Sequence, residues 1–286
     1  MSGKDSLQNI KKLREMTGVG FKDCKAALDE NEGDIDKSVE YLRKKGIAKA
    51  SKKMSRTASE GLVLIKEQNG QVSIIEINSE TDFVAKNENF INFCKELSEL
   101  NFLTKGNLKI LNTSKMNNGL AVEDNLLNLI SKIGEKITIR RAKFFDNADG
   151  LNYYYVHSAI EKNIGKIISV VKLEGVSKDS NLGTQVAMHI AASNPLAIDK
   201  NGIEKKIIDK ELEIISAEII NSGKAKEIAE KISKGKISKF LDDNSLLNQI
   251  WIMDPKKKVS DVLKEASGDK KIKILDFAKY KVGEGI

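Results

Sequence analysis

Soft metal ligands are nearly missing from this 286-residue chain: two cysteines, Cys24 and Cys94, and two histidines, His157 and His189. A structural zinc site takes about four such ligands, usually as local pairs, so neither a resident metal nor a disulfide framework is expected, and a reducing cytoplasm is the expected compartment. Aromatic residues make up 5% of the chain, and the charge excess is mild, 48 basic against 41 acidic side chains for a net of +7. With so little to stack on bases, direct nucleic-acid binding is not expected. No apolar run reaches the length of a membrane span and no basic-then-apolar leader is present, so neither a membrane association nor secretion is expected. The phosphate-loop, GxSxG, HExxH and GxGxxG fingerprints are all absent, although Gly165-Lys166 and Gly223-Lys224 are fragments of the first. No catalytic residues and no cofactor are therefore expected.

What remains is ample core material, 40% apolar residues, arranged in changing periods. Residues 1–46 read as three short helices. Leu7, Ile10 and Leu13 lie on the first, Cys24, Ala27 and Leu28 on the second. Asp34 caps the third, which carries Ile35, Val39 and Leu42, with Gly46 as its stop. Residues 44–56 then hold six basic side chains and no acidic one, which suits a solvated linker or helix tail, or else electrostatic steering toward an acidic or RNA-rich partner. Leu62–Ile65 and Val72–Ile77 flank Asn69-Gly70, a strong hairpin signal. A turn from Ser79 to Asn87 leads to a helix with Phe90, Phe93, Cys94, Leu97 and Leu100 on one face. Thr104–Val122 is poorly patterned. Leu126–Ile133 is helical and Ile137–Arg141 a third strand.

The pattern recurs at an offset of 95 residues, which places Gly165 on Gly70, between strands Tyr153–Ala159 and Lys166–Leu173, and Met188 on Phe93. Ile208, Leu212, Ile215 and Ile219 make a heptad seam. Asn221-Ser222-Gly223 turns it and Ala225 to Ile232 return, which predicts an antiparallel helical hairpin. Trp251-Ile252-Met253 and Ile272–Tyr280 read as sheet, with a short helix at Val259–Lys264. The fold class is thus α+β. The boundaries fall at 1–56 for the bundle and basic linker, 57–145 for one core unit, and 146–286 for a second, related unit interrupted by the hairpin at 200–240.

Thr81-Asp82-Phe83-Val84-Ala85-Lys86 stands out, because it places an aromatic after an acid in a strand-to-helix connection, where chain is usually exposed and polar. Phe83 is either a staple under the next helix or an exposed anchor. The corresponding stretch of the second unit, Gly175–Asp179, has no aromatic, so the architecture does not demand one and the anchor is favoured. His157 follows Tyr153-Tyr154-Tyr155-Val156 on a strand, where it could serve an interface. His189, Cys24 and Cys94 read as internal.

Six stretches in order resemble the elongation factor Ts family: Leu13–Phe21 with Asp23–Leu28, Thr81–Lys86, Lys132-Ile133-Gly134-Glu135 through Arg140-Arg141, Ala187–Ser193, Ser222-Gly223-Lys224 with Lys226–Lys231, and Val282–Ile286. The resemblance implies an N-terminal bundle of the ubiquitin-associated type, a core of two subdomains and a coiled-coil hairpin inserted in the second. It implies guanine nucleotide exchange on the GTPase elongation factor Tu, with Thr81, Asp82, Phe83 and Val84 as the element that displaces the partner's magnesium, and Arg14, Phe21, Lys22 and His157 as partner contacts. A further C-terminal helix found in many members has no counterpart here, so its contact is expected to be missing. A dimer and a two-plus-two complex with the GTPase both stay open. So do two rival readings from the residues, a ubiquitin-associated-type binding module and an RNA-associated accessory protein without exchange activity.

Overall fold

The computed structural model describes residues 3–17, 19–53, 55–177, 179–221, 226–268 and 270–286. Three helices come first, α1 (Gly3–Thr17), α2 (Phe21–Glu30) and α3 (Ile35–Lys53). They share a small core of Ile10, Leu13, Cys24, Ala27, Leu28 and Leu42. Asp34 caps α3 by accepting from the Lys37 N–H at 3.0 Å. Gly46 does not stop that helix, which continues to Lys53. A Cβ at position 46 would sit 3.2 Å from Ser131 Oγ, so this glycine instead lets α3 approach a later helix closely.

Strands β1 (Glu60–Gln68) and β2 (Gln71–Ser79) form the expected hairpin. Both turn residues have positive φ, 54° at Asn69 and 78° at Gly70, the pairing that matches the twist of two adjoining strands. Next come α4 (Asp82–Ala85), α5 (Glu88–Leu103), α6 (Leu108–Thr113), α7 (Val122–Ile133) and β3 (Ile137–Phe145). The stretch between α5 and α7 is better ordered than its polar sequence suggests. Asn107 caps α6, and Leu111 from that helix is fully buried.

The same succession then repeats: hairpin β4 (Leu151–Glu161) and β5 (Ile164–Glu174), helix α8 (Leu182–Ser193), and, after helices α9 (Lys205–Asn221), α10 (Lys226–Asn244) and α11 (Val259–Ala266), strand β6 (Lys273–Lys281). The offset needs correction. The second hairpin turns at Lys162-Asn163, with Asn163 at φ 68°, while Gly165 already pairs with β1 inside β5. Gly70 therefore corresponds to Asn163, 93 residues on. At that spacing the buried faces of α5 and α8 coincide, Phe90 with Gly183, Phe93 with Val186, Cys94 with Ala187 and Leu97 with Ile190.

All strand pairings are antiparallel. β3-β2-β1 joins β4-β5-β6 where Val63 and Leu64 pair with Gly165 and Ile164. Side-chain parity then sorts the core. Leu62, Leu64, Ile75 and Ile77 face α5 and α7. Val171 and Leu173 face α8 and α11. The opposite faces meet each other, with Val63, Ile65, Val72, Ile74 and Phe145 packed on Ile168, Val170, Ala278 and Tyr280. The sheet is thus folded across its own back, with a helical layer on each outer side.

Trp251-Ile252-Met253 is not a strand. Trp251 is buried against α8, its ring stacked 5.1 Å from that of His189, while Ile250 bridges to Lys258. In α9 the seam residue Ile215 is 2% exposed, and Glu218 pairs with Lys236 of α10. The turn expected at Ser222-Gly223 lies outside the described residues.

Candidate functional site

Where β2 leaves the sheet, the chain makes a short knuckle instead of a simple turn. Thr81 is the N-cap of α4, its hydroxyl accepting from the Val84 N–H at 3.4 Å. Asn87 then caps α5 by accepting from the Asn89 and Phe90 N–H groups. On one helical turn successive side chains leave about 100° apart, so Phe83 can face away from the side taken by Val84 and Ala85. Val84 and Ala85 enter the core at 7% and 1% exposure, whereas Phe83 stands 80% exposed. It is therefore no staple for α5. Asp82 and Lys86 pair at 2.7 Å one turn apart, and the ammonium hydrogen bond holds the Asp82 carboxyl below its ordinary range. The knuckle presents a benzyl ring beside an ionised carboxylate.

Two glutamates fasten this knuckle to the turn between α7 and β3. α7 ends at Gly134 in the left-handed conformation, φ 88°, which reverses the chain and brings Glu135 beside Thr81. One Glu135 oxygen accepts the Thr81 N–H at 3.0 Å and the other accepts the Thr81 hydroxyl at 2.8 Å. In return, Glu80 accepts the Lys136 N–H at 2.6 Å. Glu80 also meets both Arg56 contacts at 3.3 Å, and the Lys136 ammonium donates to the Arg56 carbonyl at 2.8 Å. Lys53, at the end of α3, donates to the Gly134 carbonyl, and Arg43 pairs with Asp124 of α7. The N-terminal helices thus reach the same turn that holds the knuckle.

A family model described as Elongation factor TS matches residues 80–284 of this chain, beginning at the glutamate just before Thr81. Among curated relatives, the Elongation factor Ts of Methylorubrum extorquens (strain PA1) is 40% identical over 283 residues, covering 97% of this chain and 92% of the relative. That of Methylobacterium nodulans is 41% identical with the same coverage, and that of Rickettsia felis 39% identical, covering 97% and 91%. The chain belongs to the elongation factor Ts family. Membership makes it a translation elongation factor, acting in protein biosynthesis as a nucleotide-exchange factor. Among the described residues, no helix is long and apolar enough to cross a membrane.

The other residues singled out by resemblance to elongation factor Ts lie apart from the knuckle. Arg14, Phe21 and Lys22 are exposed around the junction of α1 and α2. His157 is exposed on β4, its Nδ1 3.2 Å from the Tyr155 hydroxyl; Ser158 after it takes φ 53°, and the strand bulges further on, between Ala159 and Glu161. Among the described residues, no hydrogen bond, ion pair or ring contact joins these four to Thr81–Val84. His189 is internal. Its Nδ1 accepts the Ile252 N–H at 3.4 Å, so Nε2 carries the proton and donates to Gln249 Oε1 at 3.0 Å. Burial lowers its pKa, against the opposing effect of the Gln249 bond.

Residue-by-residue reading missed the support beneath the knuckle. Glu76 on β2 is fully buried, and its carboxylate accepts from Arg140 at 2.9 Å, Arg141 at 2.5 Å, Asn78 at 3.0 Å and the Gly283 N–H at 3.0 Å. Burial pushes its pKa up, but the four donors outweigh that and leave it below the usual carboxylate value. Arg141 in turn lies 4.3 Å over the Tyr280 ring, whose hydroxyl burial has pushed up to about 12.

Proposed function

We propose that this chain binds elongation factor Tu in its GDP form and promotes GDP release, with Thr81–Val84 as the exchange element. The observation that carries the reading is Phe83, 80% exposed on one helical turn that is capped at both ends. Keeping a benzyl ring in water forgoes about 2 kcal/mol of burial. A rigid turn that does so is suited to spending that burial in a partner's surface, where one aromatic anchor contributes roughly 2–4 kcal/mol. Asp82 beside it is ionised and can compete for cationic or hydrogen-bonding groups around the partner's magnesium.

Exchange needs no covalent step. The factor binds the nucleotide-free GTPase more tightly than the loaded one, and by reciprocity each ligand weakens the other equally. Accelerating release by about 10³–10⁵ takes roughly 4–7 kcal/mol. The anchor supplies about half, and loss of magnesium from the nucleotide phosphates the remainder. On this reading residues 1–56 comprise a ubiquitin-associated-type bundle, which docks through Arg14, Phe21 and Lys22, and its basic linker. Segments 57–145 and 146–286 are the core subdomains, with His157 facing another partner domain and 200–240 as the coiled-coil hairpin. The setting is the cytoplasm. Stopped-flow release of fluorescent GDP from purified elongation factor Tu tests the proposal. Phe83→Ala should fold normally and lose at least about a hundredfold of the acceleration. Unchanged release would overturn it.

A further inference from the structure

We infer that Glu135 is a positioning residue for exchange, the group that sets the angle and stiffness of the turn carrying Phe83; this rests on the exchange reading given above. Both oxygens of one carboxylate engage one residue, Thr81, through its N–H at 3.0 Å and its hydroxyl at 2.8 Å. The hydroxyl proton is thereby committed to Glu135, which leaves the oxygen's lone pairs for the Val84 N–H at 3.4 Å. The charge of Glu135 is thus relayed through Thr81 to the N-terminus of α4, where an anion is favoured. A one-turn helix such as Asp82–Ala85 has too few internal hydrogen bonds to hold its own shape. Its geometry is therefore set by its cap and by what orients that cap.

The opposing bond, Lys136 N–H to Glu80 at 2.6 Å, prevents Glu135 from swinging away without opening two contacts at once. Glu80 also binds Arg56, and the Gly134 carbonyl receives Lys53, so the end of α3 closes over the same clasp. Glu135 lies behind the knuckle. It acts on the partner through Thr81 and α4, by presenting Phe83 already oriented, and ordering a loose loop on docking would slow the step that follows binding.

The test is full-length protein titrated against elongation factor Tu carrying fluorescent GDP. Glu135→Gln keeps the size of the side chain but removes the charge and one acceptor, so the Thr81 N–H and the Thr81 hydroxyl can no longer both donate to it. We expect its release rate at saturation to fall about tenfold, its half-saturating concentration to stay within about twofold, and its Tm to move by about 2 °C or less. Thr81→Ser, which keeps the hydroxyl, should release GDP faster than Thr81→Val, and Thr81→Val should match Glu135→Gln. Added to Phe83→Ala, Glu135→Gln should slow release no further, because it acts through that ring. Should Glu135→Gln fold poorly, the Thr81 pair decides alone, with equal rates for Ser and Val counting against the inference. Native release in Glu135→Gln, or an undiminished further loss on top of Phe83→Ala, overturns it. If Phe83→Ala itself releases GDP at native speed, the exchange reading falls; if Phe83→Ala is slow while Glu135→Gln is native, the clasp alone falls.

Discussion

The two halves of the sheet share a hairpin, a helix and a third strand, yet they treat the link between hairpin and helix in opposite ways. In the first half the link is a knuckle capped by Thr81 and Asn87, held by Glu135 and Glu80, with Phe83 pointing out. In the second half it carries no aromatic, and the helix it leads to is pressed tightly onto the sheet. A Cβ at Gly183 would lie 2.1 Å from the Tyr153 ring, at the position where the first half has Phe90. The first half displays a side chain and the second encloses one. The same topology therefore does not impose the exposed ring, and on the proposed reading its burial is completed in a partner's surface.

This contrast can be broken most directly at Phe83, where alanine should remove at least about a hundredfold of GDP-release acceleration, about 3 kcal/mol, with little change in Tm. A loss of cooperative unfolding in the same variant would show the ring to be structural after all. Glu76→Gln comes next, because both halves meet at that carboxylate. Removing the charge between two guanidinium groups should destabilise the fold by about 2–3 kcal/mol in urea titrations at pH 7. The native chain should show the same link as acid sensitivity. With the folded pKa below the unfolded value near 4.5, the contribution is complete above that pH and fades as pH falls through the folded value. The Gln variant should lose less stability over that window. Gly183→Ala should cost about 1–3 kcal/mol by forcing α8 off Tyr153, while leaving release by the folded fraction near native. The smallest effect is expected at the turns. Gly70→Ala, at φ 78°, should cost about 1 kcal/mol, whereas Asn163→Gly, at φ 68°, should be close to neutral.

Local signals were the legible ones. Asn69-Gly70 announces its hairpin because the turn geometry depends on those two residues alone. Phe83 stands out because an internal comparison removes the architectural reason for an aromatic. What stayed hidden depends on distant partners. Gly46 looks like a helix stop until Ser131 is seen against it. Trp251-Ile252-Met253 has the composition of a strand, and only the stacking of its buried indole on His189 shows why it is not one. Glu135 is one acid among 41 acidic side chains, and nothing in its neighbours points to Thr81, 54 residues earlier. The folding of the sheet across its back is equally silent, since both faces of each buried strand are apolar.

The bond from Glu76 to the Gly283 N–H spans 207 residues, and Arg140 reaches the Glu284 carbonyl across 144. A nascent chain can pair β1 with β2 early, but the Glu76 carboxylate on β2 lacks one of its donors until the turn after β6 has left the ribosome. The strand that carries the knuckle is therefore made 207 residues ahead of the donor that locks it. A factor that serves elongation thus completes its own frame only after more than two hundred further residues of its own chain have been added.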